Sequence, residues 1–332
     1  MAGAPERPGE FELIARYFAP IAGAGGLGLV DDAGLLRPAH GYQTVVTTDA
    51  LVAGVHFFAD DPAASVARKA LAVNLSDLAA KGARPEGFVL SLALPHGWTE
   101  AWLADFAQGL ARIAGEGACP LIGGDTVSTP GPLILSITAF GGVPAGRMVP
   151  RSGAKPGDVI LVSGTIGDGA LGLKVHGPAK PGWVARLSED DRRFLADRYL
   201  HPRPRLALAA ALQLHASAAM DVSDGLVGDL AKLLRASKAG AEIDLDRVPL
   251  SAAARAAIMA DPALAELAWT GGDDYEILCT ASEREYLSLI AAAEVAGVTL
   301  AAIGRVTGDE GAVNYRETGR ARSFAQGSFA HF

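Results

Sequence analysis

Cysteine is scarce in this chain: Cys119 and Cys279 are the only two, with no CxxC spacing and no histidine nearby. So distant a pair supports neither a disulfide framework nor a zinc site, and both are read as buried apolar side chains. Long hydrophobic runs are missing as well. Stretches such as Leu206 to Leu212 are much too short to cross a bilayer, and no basic-then-apolar segment opens the chain. The expectation is a cytoplasmic protein with no membrane partner. Positive charge is also in deficit, since the formal net charge is -8 and no basic run interleaves with aromatics. A field of that sign repels nucleic acid, so no nucleic-acid partner is expected. An internal repeat at a fixed period is absent too, and alanine enrichment is the one compositional bias.

What is present is apolar material for a large core: 332 residues at 50% hydrophobic content, a length that favours two domains. Glu10 to Phe18 has the spacing of a short amphipathic helix, and a glycine-rich loop follows from Gly23 to Gly28. Strands are expected over Thr44 to Thr47, Phe88 to Leu92, Leu133 to Phe140 and Val159 to Val162, with helices over Val66 to Lys81 and Glu100 to Ala114. Further helices are expected over Asp190 to Tyr199, Arg205 to His215, Leu226 to Ala236 and Glu283 to Val295, and strands over Tyr275 to Cys279 and Leu300 to Ile303. Mixed elements imply an α/β or α+β architecture. Pro150 and Pro156, set among charges and glycines in Val149 to Asp158, mark the join between a domain of residues 1–150 and one of residues 151–332.

Six short segments share one form, in which an apolar run ends and one or two aspartates appear beside small or hydroxyl residues. They are Asp31-Asp32, Thr47-Thr48-Asp49, Ser76-Asp77, Gly123-Gly124-Asp125-Thr126, Asp221-Val222-Ser223-Asp224 and Gly271-Gly272-Asp273-Asp274. Any one of them, taken alone, can be a helix N-cap or an Asx turn. Together they suit Mg²⁺, which takes hard oxygen ligands and completes its shell with water and phosphate. Carboxylates gathered without cations would repel one another, so convergence implies metal. An acidic protein can then bind a polyanion through the divalent ions. Asn74, Asp77 and Lys81 add a narrow polar stripe to an otherwise apolar helix, which is either a surface edge or a helix buried on most sides that turns Asp77 toward a polar site. His56, between Val55 and Phe57, can be a core residue bonded to backbone or a ligand contact. Gly164, Gly167 and Gly169 lack both the GK[ST] ending of a P-loop and the GxGxxG order, and are read as a strand-to-helix turn.

In this order, these segments resemble thiamine-monophosphate kinase, a family within the superfamily that also holds aminoimidazole ribonucleotide synthetase and selenophosphate synthetase. The resemblance runs from Gly9-Glu10-Phe11 to His331-Phe332 and is carried by the stretch Thr48 to Phe57, by Asn74 to Ala80, and by Gly123 to Thr126. Arg151 to Asp158, Asp221 to Leu226 and Gly271 to Glu276 carry it further. It implies a two-domain α/β (α+β) fold, with a mixed-sheet N-terminal domain binding ATP and Mg²⁺ and an α/β C-terminal domain. It also implies transfer of a phosphoryl group from ATP to thiamine monophosphate, with Mg²⁺ as cofactor and a homodimer built on the N-terminal domains. The metal ligands it implies are Asp32, Thr47, Thr48, Asp49, Asp77, Asp125, Asp221 and Asp224. Nucleotide contacts would come from Gly124, Asp125, Arg151 and Ser223, and acceptor contacts from His56, Asp273 and Phe329. No dedicated base is assigned, because an acceptor phosphate oxygen is already anionic near neutral pH.

The chain departs from the family at Val30, where glycine is usual, at Asp273, where Glu is common, and in one extra residue between Gly327 and Phe329. Two other functions stand beside this one: another ATP-using enzyme of the superfamily, such as a purine-pathway cyclo-ligase, and a non-catalytic MgATP-binding regulator.

Overall fold

The computed structural model describes residues 8–324. The chain forms two compact units, one running up to Leu78 and resuming over Arg84–Ala145, the other made of Ala79–Ala83 and everything from Gly146 onward.

In the first unit, strands β1 (Tyr42–Val52), β2 (Arg84–Pro95), β3 (Leu121–Thr129) and β4 (Ile134–Pro144) form one sheet in the order β1-β4-β2-β3. β4 is antiparallel to both neighbours, and β3 runs parallel to β2. A parallel pair needs a crossover, and here that crossover includes a helix over Glu100–Glu116. The chain opens with helix α1 (Glu10–Leu13), which widens into a π-helical stretch over Ile14–Phe18, so the expected opening helix is helical but not uniform. The long helix α2 covers Ala63–Ala80, and the crossover helix is α3.

α3 begins where the Thr99 side chain accepts from the Trp102 amide at 3.1 Å, a standard N-cap. Its apolar residues Leu103, Phe106, Leu110 and Ile113 recur on one face and are all buried. Leu71, Leu75 and Leu78 of α2, Phe88 and Leu92 of β2, and Leu135 and Ile137 of β4 are buried in the same unit.

The expected loop from Gly23 to Gly28 is a 3-10 segment over Ala24–Leu29, bent where Leu27 and Gly28 take left-handed angles. It is laid against β3: the Gly23 amide donates to the Leu121 carbonyl at 2.8 Å and the Leu35 amide to the Gly25 carbonyl at 2.7 Å. A Cβ on Gly34 would sit 2.1 Å from the Ile122 carbonyl oxygen, so this approach is open only to glycine. Two of the expected acidic turns are strand interior instead. Asp49 lies within β1 opposite Ile137, and Asp125 lies within β3 opposite Ser91. Glycine and aspartate disfavour strands in isolation, but sheet pairing overrides that preference.

The second unit carries a seven-stranded sheet built from β5 (Val159–Ser163), β6 (Ala218–Val222), β7 (Gly240–Asp244), β8 (Glu276–Ala281), β9 (Leu300–Thr307), β10 (Val313–Glu317) and β11 (Arg320–Arg322). Their order is β11-β10-β7-β9-β5-β8-β6, antiparallel except for the β10–β7 pair. Helices α4 (Asp168–His176), α5 (Glu189–Leu200), α6 (Ala209–His215), α7 (Leu226–Ser237), α8 (Ala252–Ala260), α9 (Leu264–Thr270) and α10 (Tyr286–Val295) complete it. One core lies between the sheet and α7, with Ile160, Val162, Val222, Leu230 and Leu233 fully or almost fully buried. Another takes in Leu161, Ile277, Cys279 and Leu289 together with Ala79 and Ala80. Cys119 and Cys279 are both free and buried, and burial pushes each thiol up to about 12. Gly164 and Gly167 lie in the strand-to-helix turn read from the sequence, while Gly169 falls just inside α4, which begins at Asp168.

Gly34→Ala is expected to lift the 24–35 segment off β3 and to lower stability by about 1–3 kcal/mol, the usual cost of an added methyl in a packed site. Chemical denaturation of the variant beside the parent protein checks this.

Candidate functional site

Residues 47 to 49 alternate across β1, as strand geometry demands. Thr47 and Asp49 are half-buried, and the Thr47 hydroxyl donates to the Asp77 carboxylate on α2. Thr48 points to the exposed face, where its hydroxyl donates to the Ile137 carbonyl at 3.1 Å and accepts from Thr138 at 3.0 Å. The structure therefore joins Thr47 to Asp77 and sets the Thr48 side chain apart. α2 is buried almost all round, with Asn74 and Ser76 fully enclosed and Asp77 half-buried, so the polar stripe is not a surface edge.

A cleft of about 490 Å³ opens beside the glycine-rich segment, and Phe11, Phe18, Val30, Asp32, Gly124 and Asp125 are among the residues lining it. This brings Asp32 into one place with Gly124 and Asp125. Val30 is exposed and adopts φ -111°, a conformation open to any residue, so the missing family glycine costs the backbone nothing here.

His56 lies in the turn after β1. Its Nδ1 accepts from the Val52 amide at 3.0 Å, which places the neutral ring's proton on Nε2. The side chain is thus bonded to backbone and only half-buried.

In the second unit two of the acidic motifs meet. The Asp273 amide donates to the Ser223 carbonyl at 2.9 Å, and the Tyr275 amide donates to the Val222 carbonyl at 2.8 Å. Gly272 makes that approach possible, since a Cβ there would lie 2.1 Å from the Ser223 carbonyl oxygen. Asp221, almost buried at the end of β6, Ser223, Asp224 and Asp273 are therefore neighbours. Asp273 takes φ +68°, a region that aspartate tolerates better than a longer acid. Arg151 is exposed, and its carbonyl accepts from Ser237. Phe329 lies outside the described residues.

Several charged groups at this junction carry no local signal in the sequence. Asp229, fully buried in the first turn of α7, accepts both the Ser223 and Asp224 amides at 2.9 Å. Lys232 donates to Asp229 at 2.8 Å and also to Asp224. Burial pushes the Asp229 carboxyl above its ordinary range against the pull of Lys232. Burial also draws Lys232 down, but the two carboxylates outweigh it and hold the ammonium above its usual value.

Among the described residues no three His, Cys, Asp or Glu side chains gather into a metal-holding group. Mg²⁺ does not require one, because it takes one or two carboxylates per ion and fills its shell with water and phosphate oxygens. The donors present suit it: Thr47 and Asp77 in one unit, and Asp221 beside Asp224 in the other, are all hard oxygen ligands.

Comparison with known proteins follows the same lines. Residues 30–143 match the AIR synthase related protein N-terminal domain, and residues 155–316 match the corresponding C-terminal domain. A thiamine-monophosphate kinase of Caulobacter vibrioides is 44% identical over 320 residues, spanning 95% of this chain and 88% of that relative. The crystal structure of a thiamine-monophosphate kinase from Stenotrophomonas maltophilia superposes with TM-score 0.79 at 40% identity, covering 89% of this chain and 91% of that one. A structure of AaThiL complexed with AMPPCP and TMP gives TM-score 0.77 at 28% identity, covering 93% and 97%.

Lys232→Met is expected to lower stability at neutral pH by about 1–3 kcal/mol, because it leaves a buried carboxylate without its partner. With Asp229 raised, the native state takes up a proton there before the unfolded chain does, so the deficit shrinks as pH falls from neutral into the carboxylate range. Melting both proteins across that range checks it, and a deficit independent of pH would remove the ionic role.

Proposed function

The chain belongs to the thiamine-monophosphate kinases of the AIR synthase related family, and from that membership we propose that it moves the γ-phosphoryl group of ATP directly, in line, onto the phosphate of thiamine monophosphate, giving thiamine diphosphate and ADP. The observation that supports this reading most is the junction of the Asp221 to Asp224 turn with Gly271 to Tyr275 through paired backbone bonds. In this reading Ser223, assigned to the nucleotide, and Asp221 and Asp224, assigned to the metal, stand beside Asp273, assigned to the acceptor.

The chemistry asks little of the protein in the way of proton transfer, because the attacking oxygen is already anionic near neutral pH. The task is to hold two polyanions in line and offset their charge. Asp32, Thr47, Asp49, Asp77 and Asp125 in the first unit, and Asp221 and Asp224 in the second, would hold Mg²⁺, which when bound supplies positive charge against the phosphate oxygens; Thr48, whose side chain is turned away, would contribute only its backbone carbonyl. Gly124 and Ser223 would meet the nucleotide through backbone and hydroxyl groups, and Arg151 would add a fixed positive charge. His56, with its proton on Nε2, would donate to the acceptor, and Asp273 would orient it. Phe329 would offer an aromatic surface for the thiamine rings.

In this reading residues 1–150 form the ATP- and Mg²⁺-binding domain and residues 151–332 the second domain. No helix among the described residues is long and apolar enough to cross a membrane. The reading places the enzyme in the cytoplasm as a homodimer joined through its N-terminal domains, with no nucleic-acid partner.

Incubation with MgATP and thiamine monophosphate is expected to yield ADP and thiamine diphosphate over many turnovers. ADP released only with a purine precursor, or a single turnover, would sink the proposal. Asp77→Asn and Asp49→Asn are expected to slow turnover by about 100-fold or more, on the scale of losing one electrostatic stabiliser, while melting like the parent. Near-normal rates in either variant would strike that residue from the metal site. Light scattering on the eluting protein is expected to give twice the chain mass, and a monomer mass would contradict the dimer.

A further inference from the structure

Asp274 is fully buried, yet the residues on both sides of it, Asp273 at φ +68° and Tyr275 at φ +52°, occupy the left-handed region. Such a conformation costs an L-residue about 1–2 kcal/mol, so two of them around one position persist only where the surroundings enforce them. The enforcement is visible. Asp274 Oδ2 accepts from the Gly167 amide at 2.8 Å and Oδ1 from the Gly169 amide at 3.0 Å. Its carbonyl accepts from Arg198 Nη2 at 3.1 Å, and the same nitrogen donates to Glu276 at 3.1 Å. Arg198 is 2% exposed. Glu276 is held in turn by the Ser163 hydroxyl at 2.6 Å and by Arg205 Nε at 2.7 Å. The Asp273 carbonyl lies directly against Gly169, where a Cβ would come within 2.2 Å of it.

The geometry points to Asp274, braced by Arg198 and the Gly167 to Gly169 turn, as a positioning residue that locks Asp273 against the Asp221 to Asp224 turn and thereby sets affinity for the phosphate-bearing acceptor. A brace that served folding alone would have no need of strain on the two residues beside it. Here the strain falls on Asp273, whose amide is tied to Ser223 and whose carboxylate accepts from the Tyr275 hydroxyl at 3.3 Å. The carboxylate is thus presented in one orientation before the acceptor arrives, which removes an ordering cost from binding. This inference rests on the proposed reading that Asp273 contacts the acceptor.

The test uses the full-length enzyme and four variants: Gly169→Ala, which pushes on the Asp273 carbonyl, Asp274→Ala, Asp274→Asn and Asp273→Ala. Steady-state kinetics give KM for thiamine monophosphate and kcat, and calorimetry gives Kd for MgATP. Gly169→Ala and Asp274→Ala are expected to raise KM about 10- to 100-fold while Kd for MgATP stays within about twofold, as for a misplacement confined to one substrate. Asp274→Asn is expected to recover only part of the loss, since its amide oxygen can accept from one of the two glycine amides while its NH2 group faces the other donor. Should Asp274→Ala fail to fold, Gly169→Ala carries the test. If Asp273→Ala raises KM and the two brace variants do not, or if they weaken both substrates alike, the brace is overturned while the acceptor reading stands. If Asp273→Ala leaves KM unchanged, the acceptor reading itself falls and takes the brace with it.

Discussion

Two backbone hydrogen bonds, from Asp273 to Ser223 and from Tyr275 to Val222, hold together the acidic segments of the second unit. Both bonds need close approach, which is why glycine stands at 272, and both need the chain to turn sharply at 273 and 275. Everything around them serves that constraint. β6 and β8 are adjacent and antiparallel, so the end of one faces the start of the other, and Val222 pairs with Glu276. The strand ends bring the loops into range, and the buried charges beneath fix their conformation.

Buried charge is costly unless it is paired and hydrogen-bonded, and removing one partner is worse than never having had the pair. This chain keeps Asp168, Asp229, Asp274 and Glu276 fully buried. Each has named partners: Thr165 and Ser251 for Asp168, two amides and Lys232 for Asp229, two amides for Asp274, and two arginines with a serine for Glu276. Burial holds the Asp274 carboxyl well above the ordinary carboxylate range, even with the Gly167 and Gly169 amides favouring its charge. The cations set against these carboxylates are Arg198, itself buried, and the partly exposed Arg205 and Lys232.

Much of the fold was legible because the signals are local. α3 has a threonine cap and apolar residues at helical spacing, so Glu100–Glu116 emerges close to its expected limits. β5 is a continuous apolar run and is equally clear. β3 was not legible, because Gly123, Gly124 and Asp125 oppose strand formation locally and only the parallel pairing with β2 makes one. The opening segment reads as one amphipathic helix, but α1 gives way to a π-helical stretch at Ile14 that the same spacing does not announce.

The sequence alone determined which side chains are available for chemistry: short acids beside glycine and hydroxyl residues, in an order that marks the family. Periodicity and capping act between residues a few positions apart, so those choices can be read one window at a time. Only the tertiary structure decided how the acids are used. Thr47 meets Asp77 across 30 positions and Gly167 meets Asp274 across 107, while Thr48, next to Thr47, is turned away by the strand pleat. Partners that distant are chosen by the order of strands in a sheet, which depends on the packing of the whole unit and on no single stretch of chain.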